Sequence, residues 1–130
     1  MESREFRSLK GLRVLVVDDN PISQRLYTHI LLQWQVSTDI ANSGKMAIEM
    51  LSKVKYDVIL MDLMMPEMDG YDTTRAIRSL EGTYFRDLPI FAFSTCPDPE
   101  RIMACKMNGL ISKYPLDKEE LYQTISSFLK

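Results

Sequence analysis

The 130-residue sequence predicts an α/β domain built on a five-stranded parallel sheet with helices on both faces. Three observations predict it. Residues 13–17 (R-V-L-V-V), 58–61 (V-I-L-M) and 90–93 (I-F-A-F) are short apolar runs, too short for a membrane span and suited to strands buried on both faces. Segments of helical period separate the strands, and strand–helix alternation implies crossover connections and parallel pairing. The runs also end abruptly in polar residues, at Asp18, Asp62 and Ser94. Ligands of open α/β sheets bind just beyond the carboxyl ends of the strands.

The elements follow in order. Residues 1–10 are polar and aperiodic and read as a leader or the remnant of a linker, with the domain proper spanning 11–130. The first strand, 13–17, stops at Asp18-Asp19-Asn20, and Pro21 opens a helix whose period is carried by Ile22, Leu26, Ile30 and Leu31 to about Trp34. Residues 36–40 form a shorter, more polar strand, as expected at an edge. Ser43-Gly44 starts a helix bearing Ala47, Ile48 and Leu51. The third strand runs into Asp62, and Pro66 and Asp69-Gly70 turn the chain into a helix over 71–80, with Ala76, Ile77 and Leu80 inward. Residues 81–87 read as a loop. The fourth strand ends at Ser94-Thr95; Asp98 caps a short fourth helix over 100–107, with Pro99 at its first position and Gly109 as its terminator. Leu110-Ile111-Ser112 is a brief strand ending at Lys113, and Asp117 with Glu120 opens a last helix that buries Leu121, Ile125 and Leu129. Right-handed crossovers leave few topologies, of which the flavodoxin-like order 2-1-3-4-5, a (βα)5 three-layer sandwich, is chosen.

Composition narrows the function. A net charge of −2 argues against a nucleic-acid surface. There is no apolar run of transmembrane length and no signal peptide, so direct membrane insertion is not expected. The two cysteines, Cys96 and Cys105, fit no metal spacing and read as reduced cytosolic thiols. The single histidine, His29, cannot build a zinc site or a catalytic triad.

In the chosen order the first and third strands are neighbours, which gathers Asp18, Asp19 and Asp62. Three carboxylates in one pocket repel and require compensation. A divalent cation of the hard kind, Mg²⁺ or Mn²⁺, supplies it. Ser94 offers a hydroxyl and Lys113 an ammonium; with the metal they could hold the equatorial oxygens of a phosphoryl group while Asp62 attacks in line. Each residue alone has a bland explanation as a cap, a turn residue or a solvated charge. Their convergence at the ends of four strands favours chemistry.

The phrases V-L-V-V-D-D-N, I-L-M-D-L-M-M-P-E-M-D-G, F-A-F-S-T and L-I-S-K, spread from Leu12 to Lys130, resemble the receiver domain of two-component response regulators. D-D-N-P-I-S-Q-R and M-D-G-Y-D-T-T-R-A-I-R are most similar to receivers attached to hybrid sensor histidine kinases. The resemblance implies that Asp62 is the phosphoacceptor, that Asp19 binds Mg²⁺ directly and Asp18 through water, and that the backbone carbonyl of Met64 is a further ligand. Ser94 and Lys113 would contact the phosphoryl oxygens. The donor would be the phosphohistidine of a sensor histidine kinase or a histidine phosphotransfer protein, or a small phosphodonor. It also implies a cytoplasmic signalling module rather than a turnover enzyme; the oligomeric state stays open, with the face of the fourth helix, fifth strand and fifth helix as the candidate surface for a homodimer. The chain ends with its last helix, so a free-standing receiver, or one cut from a larger protein, is expected. The competing readings are a pseudo-receiver that binds partners without phosphorylation and a metal-dependent phosphohydrolase, which lacks a second acid where Met64 stands.

The sequence departs from the family in four places. Tyr114 separates Lys113 from Pro115, where Lys-Pro is usual. Leu110 replaces a frequent aromatic residue. The stretch 94–109 is short, so the fourth helix should start late. Thr95 is bulkier than the usual neighbour of the Ser. Because Met64, Thr95 and Cys96 orient water poorly, slow autodephosphorylation is expected.

Overall fold

The computed structural model describes residues 6–113 and 116–129. Five strands, β1 (Arg13–Val17), β2 (Ser37–Ala41), β3 (Val58–Met61), β4 (Ile90–Ser94) and β5 (Gly109–Ser112), pair in parallel in the order β2-β1-β3-β4-β5. Among the described residues six helices connect and flank them: α1 (Pro21–Gln33), α2 (Gly44–Leu51), α3 (Gly70–Arg78), α4 (Thr83–Asp87), α5 (Pro99–Ala104) and α6 (Lys118–Ser126). No helix among the described residues is long and apolar enough to cross a membrane.

The two-residue period of a strand divides the core into two layers. Leu15, Val17, Ile59, Met61, Ile90 and Ala92 face α2, α3 and α5, where they meet Ala47, Leu51, Ile77 and Ile102. Val14, Val16, Val58, Leu60, Phe93 and Ile111 face α1 and α6, meeting Tyr27, Ile30, Leu31, Leu121 and Ile125. Both faces of β1 and β3 are therefore dry, which is why these strands read as unbroken apolar runs.

The helix starts follow the sequence closely. Asn20 Oδ1 accepts from the backbone N–H groups of Ile22 and Ser23, and Pro21 occupies the first turn. Asp98 caps α5 and Asp117 caps α6 in the same way, each accepting two backbone N–H groups.

The structure corrects several helix faces. Ile22 is 73% exposed and Leu26 is also exposed; the inward stripe of α1 is Ser23, Tyr27, Ile30 and Leu31. The polar Ser23 and the amphipathic Tyr27 hid that stripe. On α3 the buried residues are Tyr71, Thr73, Thr74 and Ile77, while Ala76 and Leu80 are half-buried. The hydroxyls of Thr73 and Thr74 donate to the carbonyls of Asp69 and Gly70, both at 2.8 Å, so these residues enter the core without an unmet polar group. Leu129 lies beyond α6 and is exposed.

Boundaries also move. Residues 83–87, read as loop, form the one-turn helix α4; Tyr84 and Phe85 pack against the core, and the Phe85 carbonyl accepts from Arg78 at 2.9 Å. That support is tertiary and has no local sequence signature. The fourth helix expected from the sequence is α5, six residues long, and it ends earlier than Met107. Lys106, at φ 64, closes it with Lys106 N–H bonded to the Met103 carbonyl and Met107 N–H to the Ile102 carbonyl, while Gly109 begins β5. Of the stretch read as leader, residues 6–10 belong to the packed unit: Leu9 is buried, its N–H donates to the Trp34 carbonyl at 2.7 Å, and the Phe6 ring lies 5.2 Å from Trp34 and 4.8 Å from Tyr122.

Candidate functional site

The register of the sheet decides which side chains meet. Val17 is paired with Ala41 and with Met61, Met61 with Ala92, and Ser94 with Ser112. The next residue of β1 is Asp18, of β3 Asp62 and of β5 Lys113. The ladder holds their backbones just past the strand ends: Asp18 N–H donates to the Ala41 carbonyl at 3.0 Å and Asp62 N–H to the Val17 carbonyl at 2.9 Å.

Asp18, Asp19 and Asp62 each offer a carboxylate oxygen, and these oxygens lie within 4.8 Å of one another. Asp18 is 1% and Asp62 5% exposed, whereas Asp19 faces solvent. The Lys113 ammonium sits 2.9 Å from Asp18 Oδ2 and 3.5 Å from Asp62 Oδ2. The ammonium is close to Asp18 Oδ2 but off the direction of a good hydrogen bond, so the compensation of this buried oxygen is Coulombic. The other Asp18 oxygen accepts from Asn20 N–H at 2.8 Å, and the Asp18 carbonyl accepts from Gln24 Nε2 at 2.6 Å. Asp62 Oδ1 accepts from Met64 N–H at 3.3 Å.

The electrostatics match this geometry. Burial is the largest influence on Asp62 and pushes its carboxyl up; Lys113 pulls it down, Asp18 pushes it up again, and the net shift is upward. For Lys113 burial alone acts downward, but the contact with Asp18 and the charges of Asp62 and Asp18 outweigh it, leaving the ammonium pKa raised. Three carboxylates against one ammonium leave two negative charges uncompensated. An oxygen-only donor set with that surplus, including one buried oxygen without a directed hydrogen bond, fits a hard divalent cation.

Ser94 is buried at the end of β4, and its Oγ accepts from Cys96 N–H at 3.1 Å, which leaves its own proton available. Ser112, one position before Lys113, is its register partner. Met64, Thr95 and Cys96 form the exposed rim, Met64 being 67% exposed. The geometry of Tyr114 and Pro115 lies outside the described residues. Leu110 is exposed, so the position read as lacking a ring carries only an aliphatic side chain.

Sequence reasoning missed one contributor, Gly70. A Cβ at this position would stand 2.3 Å from the Asp62 carbonyl oxygen and 2.8 Å from Leu63 Cα. The first turn of α3 thus rests directly on the backbone of Asp62, and Gly70 N–H donates to the Leu63 carbonyl at 3.1 Å. In sequence the Asp69-Gly70 pair signals only a turn; close backbone approach is the other standard use of glycine.

The chain is similar to known proteins over nearly all of its length. The family profile for the response regulator receiver domain matches residues 14–126. Probable histidine kinase 4 of Oryza sativa subsp. japonica is 34% identical over 143 aligned positions, covering 93% of this chain and 14% of the relative. Hybrid signal transduction histidine kinase B of Dictyostelium discoideum is 31% identical over 129 positions, covering 90% of this chain and 7% of that protein. The chain thus spans a small fraction of the curated relatives it matches. Among solved structures, the receiver domain of a Pseudomonas aeruginosa sensor histidine kinase, described with a magnesium ion coordinated in its active-site cleft, superposes with a TM-score of 0.82 at 30% identity, covering 92% of this chain and 98% of that one. The receiver domain of a Syntrophus aciditrophicus signal transduction histidine kinase gives 0.81 at 28% identity, covering 92% and 90%. A sheet order, an acid cluster and a sequence match that agree from β1 to α6 have one common explanation: the chain belongs to the response regulator receiver domain family.

Proposed function

We infer that this receiver accepts a phosphoryl group on Asp62 and acts as the phosphoacceptor of a histidine–aspartate relay. The observation that carries the reading is the Lys113 ammonium set between Asp18 and Asp62 inside an acid cluster that still has negative charge to spare. A purely structural cluster would be neutralised within the protein, because buried charge left unpaired is costly.

In the proposed reaction an oxygen of Asp62 attacks phosphorus, the O–P bond forms as the donor's N–P bond breaks, and the departing imidazole takes up a proton on the donor side. Asp62 Oδ1, held by Met64 N–H, and Oδ2, facing Lys113, are fixed before attack, so little orientation remains to be found. Lys113 then neutralises a phosphoryl oxygen and Ser94 donates its hydroxyl to another. Asp18, Asp19, Asp62 and the Met64 carbonyl are the groups that would hold Mg²⁺ or Mn²⁺. When bound, such an ion supplies charge stabilisation to the transferring phosphoryl group. The donor we propose is the phosphohistidine of a sensor kinase or phosphotransfer protein, and the exposed apolar side chains of Ile22 and Met64 suit a protein partner. The domain is regulatory: apart from its own phosphorylation and dephosphorylation, it turns over no substrate.

Intact mass after incubation with acetyl phosphate tests the reading. A phosphate adduct is expected with Mg²⁺, lost on chelation and absent in Asp62→Asn. An adduct that persists in that variant, or none in the wild type, removes Asp62 from the role. The exposed apolar Met64 beside Asp62 also supports a long-lived acyl phosphate; Met64→Asn should shorten its lifetime several-fold, as a water-orienting amide replaces a thioether. An unchanged decay rate would argue against that assignment.

A further inference from the structure

The connection from Ser94 to Asp98, the cap of α5, is short and stiff. Pro97 and Pro99 fix their own φ angles and hold the residues before them near extended backbone. A shift at Ser94 is therefore felt at Asp98. The Asp98 end is tied to α3 by three contacts. Asp98 N–H donates to the Tyr71 hydroxyl at 3.0 Å. The Arg101 guanidinium lies over the Tyr71 ring, 3.9 Å from its centroid. Arg101 Nη2 also pairs with Asp69 Oδ2, on the cap of α3, at 3.6 Å. That last pair is half-exposed and contributes little alone. The bond to Tyr71 and the stack on its ring are better protected, because Tyr71 is buried. Tyr71 cannot simply follow α5, since Gly70 beside it is pressed against the Asp62 backbone.

The geometry points to a latch in which Tyr71 and Arg101 couple the occupancy of Asp62 to the position of α5. The inference rests on the reading of Asp62 as the phosphoacceptor. The Ser94 hydroxyl has a proton to donate, and a phosphoryl oxygen on Asp62 gives it an acceptor. Drawing Ser94 toward that oxygen pulls on residues 95–98 and loads the Asp98–Tyr71 bond and the Arg101 stack. Two arrangements of α5 result, latched and released, and the phosphoryl group biases the second. β5 carries Leu110 and no ring; among the described residues Tyr71 on α3 is an aromatic side chain that does bond the loop after Ser94. Linkage is reciprocal: a change that opens the latch strengthens binding of a phosphoryl-like group by the same factor.

The test uses the full chain as wild type, Tyr71→Phe and Arg101→Gln, with Mg²⁺ and beryllofluoride as a tetrahedral stand-in for the phosphoryl group. Tyr71→Phe keeps the ring and Arg101→Gln alters a partly exposed side chain, so neither threatens folding. Loading is read from the resonances of the acid pocket and latch opening from amide hydrogen exchange over residues 98–104. In the wild type, loading should raise α5 exchange about fivefold; in both variants exchange should start high and respond weakly, and the half-saturating beryllofluoride concentration should fall by a similar factor of about five. A merely structural role for Tyr71 would leave that concentration unchanged. If all three proteins load at the same concentration and α5 exchange ignores loading, the latch is wrong while the phosphoacceptor reading stands. If the wild type does not load, the reading beneath the latch fails and the latch fails with it.

Discussion

Two cations in this molecule sit among oxygens, at opposite ends of the sheet, and their surroundings differ. At the amino ends of β4 and β5, the half-buried Arg78 makes five hydrogen bonds, of 2.7 to 3.1 Å, to the carbonyls of Phe85, Leu88 and Lys106 and to the Asn108 side chain. Asn108 Oδ1 also accepts from Ile90 N–H at 2.8 Å. Neutral oxygens satisfy the guanidinium, and burial lowers its pKa from the usual value. At the carboxyl ends, Lys113 faces two carboxylates with a third nearby, and charge is left over. The first arrangement is complete within the protein and joins α3, α4 and the approach to β5. The second leaves an excess of carboxylate over ammonium at the strand ends. Saturation with neutral acceptors suits a structural cation, and a surplus of acid supports the functional role proposed for Lys113.

The largest expected effect breaks the structural end. Arg78→Ala strands several carbonyl groups and should cost about 2–4 kcal/mol in urea unfolding, while phosphate uptake at low temperature persists. A loss below about 1 kcal/mol would mean that water replaces the guanidinium without penalty. Next comes Gly70→Ala, whose methyl meets the Asp62 carbonyl. It should destabilise by about 1–3 kcal/mol and also weaken the gain in thermal stability expected from added Mg²⁺ in the wild type. Equal Mg²⁺ responses in the two proteins would show that the Asp62 backbone does not position the carboxylates proposed to hold the metal.

A third experiment sharpens the contrast by removing surplus charge. In chelator, Asp62→Asn should stabilise the protein by about 1 kcal/mol at neutral pH, since the wild-type carboxyl is held above its usual range chiefly by burial. The sign follows from linkage. The folded state keeps the Asp62 proton longer than the unfolded chain, so stability from the protonated group is present below the unfolded pKa and is lost as pH rises through the folded one. The advantage of the variant should therefore be small in acid, grow as pH climbs from the unfolded value to the raised folded value, and level off above it. Mg²⁺ should narrow the gap. An advantage independent of pH would point to packing instead. The smallest effect is expected at Lys106, which adopts φ 64 at the end of α5 and accepts from Arg78 through its backbone only. Lys106→Gly should raise stability by about 0.5–1 kcal/mol, read from the thermal midpoint.

The acid pocket was legible because its residues stand at strand ends, where parallel pairing of known order forces neighbours together. Asp18, Asp62, Ser94 and Lys113 needed only the strand limits and the sheet order to be placed. The caps at Asp98 and Asp117 were legible for a related reason: each acts within three residues of itself. The faces of α1 and α3 were not. Ser23, Tyr27, Thr73 and Thr74 are polar residues that become buried, and hydrophobic period cannot announce them. The one-turn helix α4 was also hidden, since the Arg78 contact that supports it comes from the far end of α3.

By itself the sequence determined the strands, a short list of parallel orders that includes the observed one, and a set of acids and a lysine at the strand ends. Those features depend on local pattern and on register, and both are written residue by residue. Only the tertiary structure decided that Gly70 bears on the Asp62 backbone, that Tyr71 receives the amide of Asp98, and that Arg78 is saturated by carbonyls. Each of these is a contact between different elements or loops, some only seven or eight residues apart and others nearly thirty. Its energy depends on distance and direction in three dimensions, which spacing along the chain does not encode.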